Sequence, residues 1–318
     1  MSHMVETMAY AGELPWHGLG TKVSNELSPV QMMEKAGCNW GVVEADSYVH
    51  FNDRILPTGQ KTLIRETDGK VLTNVGKDWK PCQNETAFEF FDEYVRAGDM
   101  EMHTAGSLND GKIVWALAKV KESFDVVNDD RVDSYMLFSN PHTYGKSINV
   151  QFSPIRVVCN NTLSMALSHG TKNGVAVGHR AEFNPDMVKE QMGIAHEKFA
   201  EYKEMGKFLA GKKVTADALI EYYNTVFPLT TRTGDTTNVK AYEDLSRNAK
   251  LCYDALEVQP GAEFAQGSWW SAFNSVTYVT DHMYGNNANN RLHSQWYGQN
   301  RNRKLVAANK AVELATAA

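Results

Sequence analysis

Two stretches of the sequence carry basic side chains and no carboxylate. The first lies between Asp133 and Glu182 and contains Lys146, Arg156, Lys172, Arg180, His142, His169 and His179. The second lies between Asp281 and Glu313 and contains Arg291, Arg301, Arg303, Lys304 and Lys310. The net charge of the chain is -6, but local fields rather than net charge decide where a polyanion gathers. This separation of basic from acidic residues predicts a positive surface that suits a phosphate backbone. Alternatively, the two stretches arise by chance in loops and half-buried strands.

Aromatic side chains accompany the cations, a combination that binds single-stranded nucleic acid by backbone neutralisation and base stacking. For phosphate contacts we select Lys77, Lys80, Lys146 and Arg156, and for stacking Trp79, Tyr144 and His142. The predicted strand from Ser147 to Ile155 alternates polar and apolar residues, so one face offers Asn and Gln side chains. An ordinary half-buried strand with a solvated polar face explains the same alternation.

The C-terminal basic segment completes the candidate set with Arg301 and Arg303. It is either a nucleic-acid-binding tail or a helix that docks on an acidic neighbour such as residues 1–47. Trp296 and Tyr297 favour docking, since large aromatic side chains are stabilised by burial.

Other chemistries have weaker support in the sequence. Cys159 precedes a predicted helix, where an N-terminus could lower its pKa and make the thiol a nucleophile. The same position suits a buried core cysteine. The four cysteines have no CxxC spacing and no HExxH or phosphate-binding loop occurs. We therefore expect no metal, no cofactor and no enzymatic activity, with a hydrolase using Cys159 or scattered acids as a remaining alternative.

The spacing of hydrophobic residues predicts the helices and strands that position these side chains. Ser28 and Pro29 predict a short helix ending near Gly37. Short strands are predicted on either side of Pro57-Thr58-Gly59 and of Asp68-Gly69, followed by one amphipathic helix from Asn84 to Gly98. Four more strands and a helix capped by Asn160 or Asn161 come next.

After Pro185 the hydrophobic residues recur at helical spacing, which predicts helices at about 185–210, 215–226, 238–257, 268–283 and 290–316. The predicted class is α+β, an antiparallel sheet with crossing helices followed by a mostly helical half. We predict two domains, residues 1–183 and 184–318. No apolar run reaches the roughly 20 residues that span a bilayer, and the start of the chain lacks the pattern of a signal peptide.

Four segments resemble a phage- and plasmid-related family classed as a domain of unknown function. They are MVETMAYAGELPWHGLG, VGKDWKPCQNETAFEFFDE, FSNPHTYGKSINVQFSPIRVVCNNTLSMAL, and SWWSAFNSVTYVTDH with QWYGQNRNRKLVAANKAVELA. The PxRVVCxNTL motif, from Pro154 to Leu163, is the most specific. The resemblance implies a mobile-element protein of the bacterial cytoplasm. The predicted sheet is also similar in fold to RecT-like and Erf-like annealing proteins. This is a likeness of fold only, so it assigns no functional residues to this chain.

The sequence favours a phage or mobile-element protein that binds single-stranded DNA and can anneal it, as a homo-oligomer. A protein that binds and inhibits a host defence or regulatory factor is the second hypothesis. The partner is therefore single-stranded DNA or a host protein, and not a membrane.

Overall fold

The computed structural model describes residues 5–12, 19–127, 129–156, 161–162, 174–229, 239–285, 294–295 and 298–317. The side chains of residues 156, 161–162 and 191–199 lie outside that description. A mixed sheet and a set of helices confirm the predicted α+β class. The chain divides into two compact units. The first comprises Met1–Lys121, Tyr135–Phe152 and Gly174–Ala195, and the second Glu122–Ser134, Ser153–Asn173 and His196–Ala318.

Each unit thus combines segments that are distant in the sequence. The predicted division at residue 183 stays a prediction.

In the part of the chain that the structure describes, eight strands form the larger sheet. In chain order they are β1 (Val5–Ala11), β2 (Thr21–Val23), β6 (Met100–Leu108), β7 (Ile113–Asp125), β8 (Arg131–Pro141), β9 (Ile148–Arg156), β10 (Asn161–Thr162) and β11 (Gly174–Val177). Their spatial order is β10-β9-β8-β7-β6-β1-β2, and β11 also pairs with β9. The pairs β1–β6, β6–β7, β9–β10 and β9–β11 are antiparallel, whereas β1 and β2 run parallel.

The sequence prediction missed four of these strands, namely β1, β2, β10 and β11. β1 lies in the lead-in where only a helix was predicted, since its burial on both faces removes the alternation that marks a strand. Asn161 and Thr162, predicted to begin a helix, pair with Arg156 and Ile155 as β10. The rest of that predicted helix lies outside the described residues.

A three-stranded sheet belongs to the first unit. It consists of β3 (Val42–Phe51), β4 (Arg54–Arg65) and β5 (Val71–Gly76), in the order β3-β4-β5. Asn52 and Asp53 form the tight turn between β3 and β4, both with positive φ (45° and 58°), as a type I′ turn requires. Pro57-Thr58-Gly59, predicted to separate two strands, instead lies inside β4, where the register shifts opposite Ser47.

The described residues of the first unit form three short helices and the start of a long one. They are α1 (Pro29–Lys35), α2 (Asn84–Glu89), α3 (Asp92–Ala97) and α4 (Pro185–Gly211). Ser28 accepts from Gln31 N–H and completes a capping box, which confirms the predicted start of α1. The single helix predicted from Asn84 is two helices, although it ends as predicted at Gly98 with φ of 74°.

Among the described residues, the remainder of α4 and four further α-helices of more than three residues belong to the second unit. They are α5 (Ala216–Val226), α6 (Arg247–Val258), α7 (Trp269–Tyr278) and α8 (Gln299–Ala317). A π-helical turn, Val279–Met283, extends α7. Its core includes Trp269, Trp270 and Phe273, each with at most 1 % of its surface exposed. In the described part of the chain, no helix combines the length and the apolar character needed to cross a bilayer.

Candidate nucleic-acid interface

Three segments of the first unit meet around His179. The backbone N–H of Lys80 donates to the His179 carbonyl at 2.7 Å, and His179 Nδ1 lies 3.1 Å from the Lys80 carbonyl. The antiparallel pair of β9 and β11 sets Val177 opposite Ile148, so the turn that ends at Ser147 lies next to Gly178. We call residues 77–80, 142–147 and 178–182 together the three-loop surface. The fold therefore brings together Trp79, Lys80 and His142, which were selected from separate parts of the sequence.

The indole of Trp79 is held flat against the His179 imidazole. The ring centroids are 4.0 Å apart and the planes differ by 12°. Trp79 is half-buried and His179 is buried, and burial lowers the pKa of His179, so its ring favours the neutral form. Among the described residues, Trp79 Nε1 is buried without a hydrogen-bond partner. The partly exposed indole is a fixed aromatic plane of the kind on which an unpaired base stacks.

Exposed cations border this aromatic pair. Lys77, Lys80, Lys146 and Arg180 are all exposed, and the two carboxylates in the same segments are Asp78 and Glu182. Lys80 Nζ forms an ion pair with Glu182 at 3.0 Å. Within the described part of the chain, Lys77 and Lys146 have no carboxylate within ion-pair distance. The three-loop surface is therefore positive, and two of its lysines are free to contact phosphate.

Tyr144 projects from the same surface. Its side chain is 71 % exposed, because it stands in the turn between β8 and β9, next to Gly145 with φ of 77°. A tyrosine ring in this position has both faces accessible to a base. Tyr144 is therefore accessible to a partner, and its stacking role stays a prediction.

His142 occupies the interior instead of the surface. It has no exposed area, and its Nε2 lies 2.8 Å from Asn84 Oδ1. Asn84 in turn donates to the carbonyls of Cys38 and Trp40, both at 3.1 Å. Burial, reinforced by His179, lowers the pKa of His142 to about 3. A neutral, enclosed imidazole neither contacts phosphate nor stacks on a base, so we remove His142 from the candidate set.

The C-terminal arginines lie in α8, in the second unit. The Arg303 guanidinium is 4.5 Å from the Tyr284 ring centroid and 5.3 Å from that of Phe227. Its cation is thus engaged by aromatic faces of its own unit, an arrangement that stabilises a cation without a carboxylate. Arg301 is half-buried in the same helix. Arg156 belongs to β9, but its side chain lies outside the described residues.

Most of the chain matches one protein family. Residues 71–310 match the family model described as Domain of unknown function (DUF932). The chain belongs to this family. The match includes the whole three-loop surface, whereas β1 to β4 precede it. No curated protein and no solved structure matches the chain.

The buried thiols of this family member are unsuited to nucleophilic catalysis. Cys38, Cys82 and Cys252 are free and buried. Burial raises the pKa of Cys38 and of Cys82 to about 12 and also raises that of Cys252, so these thiols are protonated at neutral pH. Cys159 lies outside the described residues. The described residues contain no group of three or more His, Cys, Asp or Glu side chains that could hold a metal ion.

Two residues of the three-loop surface were not selected as candidates from the sequence. His179 supports Trp79, and Arg180 adds an exposed cation. Both lie in the first carboxylate-free stretch, so the charge pattern contained them. Selecting them required knowing that residues 178–182 lie beside Lys80, about a hundred positions earlier in the chain.

A buried ion pair was also missed, in the second unit. Lys304 Nζ donates to Asp281 Oδ1 at 2.8 Å, and the two residues are 0 % and 1 % exposed. Lys304 belongs to the second basic stretch, yet its charge is balanced inside the protein. Burial lowers the pKa of Lys304, against the opposite influence of Asp281. Lys304 is therefore not a nucleic-acid contact.

Proposed function

We propose that this chain is a phage or mobile-element protein of the bacterial cytoplasm that binds single-stranded DNA through the three-loop surface. One observation supports the proposal above the others. The half-buried Trp79 indole, held flat by His179, lies in a surface with four exposed cations and two carboxylates. The combination supplies an aromatic platform for a base and positive charge for the backbone that carries it.

The aromatic platform favours a single strand over a duplex. In a duplex, each base is covered on both faces by its neighbours, so an aromatic side chain stacks on a base only where the strand is unpaired. Tyr144, 71 % exposed, offers a second plane. The cations Lys77 and Lys146 have no competing carboxylate in the described part of the chain, so phosphate contacts there displace only solvent and counterions.

The proposal rests on fewer residues than the sequence suggested. The phosphate contacts are Lys77, Lys80 and Lys146, and Arg180 joins them. Trp79 and Tyr144 remain the stacking residues. Annealing would require two strands to be held at once, which one such surface does not provide.

Fluorescence anisotropy with a labelled oligo-dT of about 16 nucleotides tests the proposal. We expect binding at about 50 mM salt that weakens steeply towards 200 mM. The double variant Lys77→Ala/Lys146→Ala should reduce the slope of log K against log[salt] by roughly 1.4, since each phosphate contact on a single strand contributes about 0.7. Lys207→Ala is the matched control, because Lys207 is an exposed lysine of the second unit.

Stacking is tested separately with Trp79→Ala. The loss of one stacked base should weaken binding about tenfold, at an unchanged salt slope, and Trp79→Phe should recover part of the affinity. Circular dichroism of each variant checks that the first unit remains folded. Absence of binding at about 50 mM salt, or an equal loss in Lys207→Ala and in the double variant, would refute this assignment.

The second hypothesis, inhibition of a host factor, depends on a different surface. Large apolar side chains are exposed on the hairpin of β3 and β4, among them Phe51 and Ile55. Exposed apolar surface of this kind marks a protein contact.

A further inference from the structure

The hairpin of β3 and β4 exposes apolar side chains on both of its faces. Tyr48 is 58 %, Phe51 62 % and Ile55 63 % exposed, and Val49 and Leu56 are exposed as well. Because successive side chains of a strand point to opposite faces, Val49 and Phe51 lie on one face and Tyr48 on the other. A two-stranded ribbon without a covered face is marginally stable in water. We call residues 47–58 the ribbon.

The two long edges of the ribbon differ. On the β4 side, Pro57 lacks an N–H donor and residues 58–60 bulge opposite Ser47, two features that block strand pairing. On the β3 side, the ten residues Val42–Phe51 contain neither proline nor glycine. β3 is also the edge of the three-stranded sheet, so no described strand covers this side. The β3 edge is therefore the one suited to pairing.

Hydrogen bonds at the base of β3 show which main-chain groups face outwards. Gln83 Oε1 accepts from Val42 N–H at 2.9 Å, and Gln83 Nε2 donates to the Val42 carbonyl at 3.0 Å. The amide of Gln83 thus pairs with the outer edge as a neighbouring strand would. Thr58 Oγ1 donates to the Ser47 carbonyl at 3.0 Å, which shows that odd-numbered residues face β4.

The alternation continues to the tip of the hairpin. Phe51 pairs with Arg54 across the two-residue turn, the position at which the closing pair exchanges both hydrogen bonds. Beyond Val42, the residues whose N–H and C=O groups point outwards are therefore Glu44, Asp46, Tyr48 and His50. These four residues form an open edge of four donors and four acceptors.

We infer that this edge pairs antiparallel with the same edge of a second copy of the chain, about a two-fold axis at Ser47. In that register Glu44 of one copy faces His50 of the other, and Asp46 faces Tyr48. All four outward residues of each strand form reciprocal hydrogen-bonded pairs. Shifting the register by two residues towards the N-terminus would bring Asp46 against Asp46 and use Val42, which Gln83 already occupies.

The side chains suit a second copy as partner. Glu44, which is paired with Lys61 of its own chain, meets the His50 imidazole, and Asp46 meets the Tyr48 phenol. Each carboxylate thus faces a side chain that can donate a hydrogen bond. On the opposite face, Val43 meets Phe51 and Ala45 meets Val49 in the closer, non-hydrogen-bonded pairs. An isologous contact of this kind is what a two-fold dimer requires.

The area is sufficient for a weak to moderate dimer. Tyr48 and Phe51 each expose roughly 100 Å², taking 150–250 Å² as the area that an aromatic side chain can bury. With the aliphatic side chains and the strand edge, two copies would bury on the order of 1,000 Å², near the lower limit for a specific interface. The predicted dimer forms independently of DNA binding, and it brings two three-loop surfaces into one particle.

Sedimentation analysis of the full chain between about 1 and 100 µM tests the dimer with a matched pair of proline variants. Tyr48→Pro removes an outward N–H from the β3 edge. Ile55→Pro removes an outward N–H from the β4 edge, because Ile55 lies opposite His50. Both leave the hydrogen bonds between β3 and β4 in place. We expect the dimer dissociation constant to rise about tenfold or more for Tyr48→Pro and to change little for Ile55→Pro.

A cysteine cross-link tests the register even if the proline variants fold poorly. In a Cys159→Ser background, Ser47→Cys should give a covalent dimer on mild oxidation, because residue 47 faces itself across the axis. Ala45→Cys should not, since residue 45 faces residue 49. A monomeric wild type at about 100 µM, or equal cross-linking of both cysteine variants, would overturn the proposal. A host protein that binds the ribbon of a monomeric wild type would instead favour the inhibitor hypothesis.

Discussion

The burial of His142 decides what its side chain can do. An exposed histidine in a basic turn would be a candidate for phosphate contact or stacking, and that was its predicted role. The structure encloses it, with Nε2 at 2.8 Å from Asn84 Oδ1 and the ring 5.4 Å from that of Trp40. Its contribution is to connect the β8–β9 turn to the start of α2 through Asn84. The neutral imidazole therefore supports the conformation of the three-loop surface and adds no charge to it.

Acid should destabilise the protein through His142. The pKa falls from the usual 6.5 to about 3 in the folded state, so between these values the unfolded state binds the additional proton. Stability is therefore lost as the pH falls from 6.5 towards 3, by about 2 kcal/mol at pH 5. Urea unfolding of wild type and of His142→Gln at pH 7 and pH 5 measures this effect.

His142→Gln keeps a donor for Asn84 but does not titrate. Its loss of stability between pH 7 and pH 5 should be smaller than that of the wild type by about 2 kcal/mol. His179, whose pKa is also lowered by burial, contributes a remaining slope of the same sign. Equal losses in the two proteins would contradict the buried, neutral state of His142.

At the scale of elements, β1 owes its place in the large sheet to a close contact with β6. A Cβ atom on Gly106 would collide with the backbone carbonyl of Thr7 and approach Met8. β1 pairs with β6 from Val5 to Tyr10, and Met8 and Ala9 are buried there. A glycine at position 106 is what permits the strands to approach this closely.

Gly106→Ala should therefore displace β1 and destabilise the first unit. We expect a cost of about 1–3 kcal/mol, the range for overpacking a core position. Gly76→Ala is the matched control, because Gly76 also lies in a strand and a Cβ atom there would have open space. Urea unfolding followed by tryptophan fluorescence gives both values. A cost for Gly106→Ala no larger than that of the control would disprove the close contact.

At the scale of the whole molecule, opposite charges and apolar surface are distributed unevenly. The chain carries 38 acidic and 32 basic residues, yet the three-loop surface carries twice as many exposed cations as carboxylates. The ribbon in turn presents large apolar side chains to solvent. These two surfaces belong to the same unit but serve different partners in our proposals, a nucleic-acid strand and a second copy of the chain.

Dimer formation predicts that thermal stability depends on protein concentration. Only the folded ribbon can pair, so association stabilises the native state by mass action. Over a hundredfold range of concentration, the Tm of the wild type should rise by about 2 °C or more. Tyr48→Pro should show a constant Tm, while Ile55→Pro should behave as the wild type. Differential scanning calorimetry at several concentrations provides the measurement, and a wild-type Tm independent of concentration would contradict association.

The sequence by itself determined the α+β class, the capped start of α1 and the places of most C-terminal helices. These features depend on neighbours a few positions away, namely periodicity, capping residues and glycines at helix ends. It also contained the two carboxylate-free stretches, because charge order is a property of the chain.

Only the tertiary structure decided which of those charges face solvent. Like Lys146, His142 and Lys304 belong to the two carboxylate-free stretches, yet His142 is enclosed as a neutral ring and Lys304 in an ion pair. Burial depends on contacts such as that of His179 with Lys80, which join distant segments. The exposed β3 edge is also a tertiary property, since a strand is an edge only by the absence of a neighbour. Long-range packing sets solvation, and solvation sets whether a charge is available to a partner.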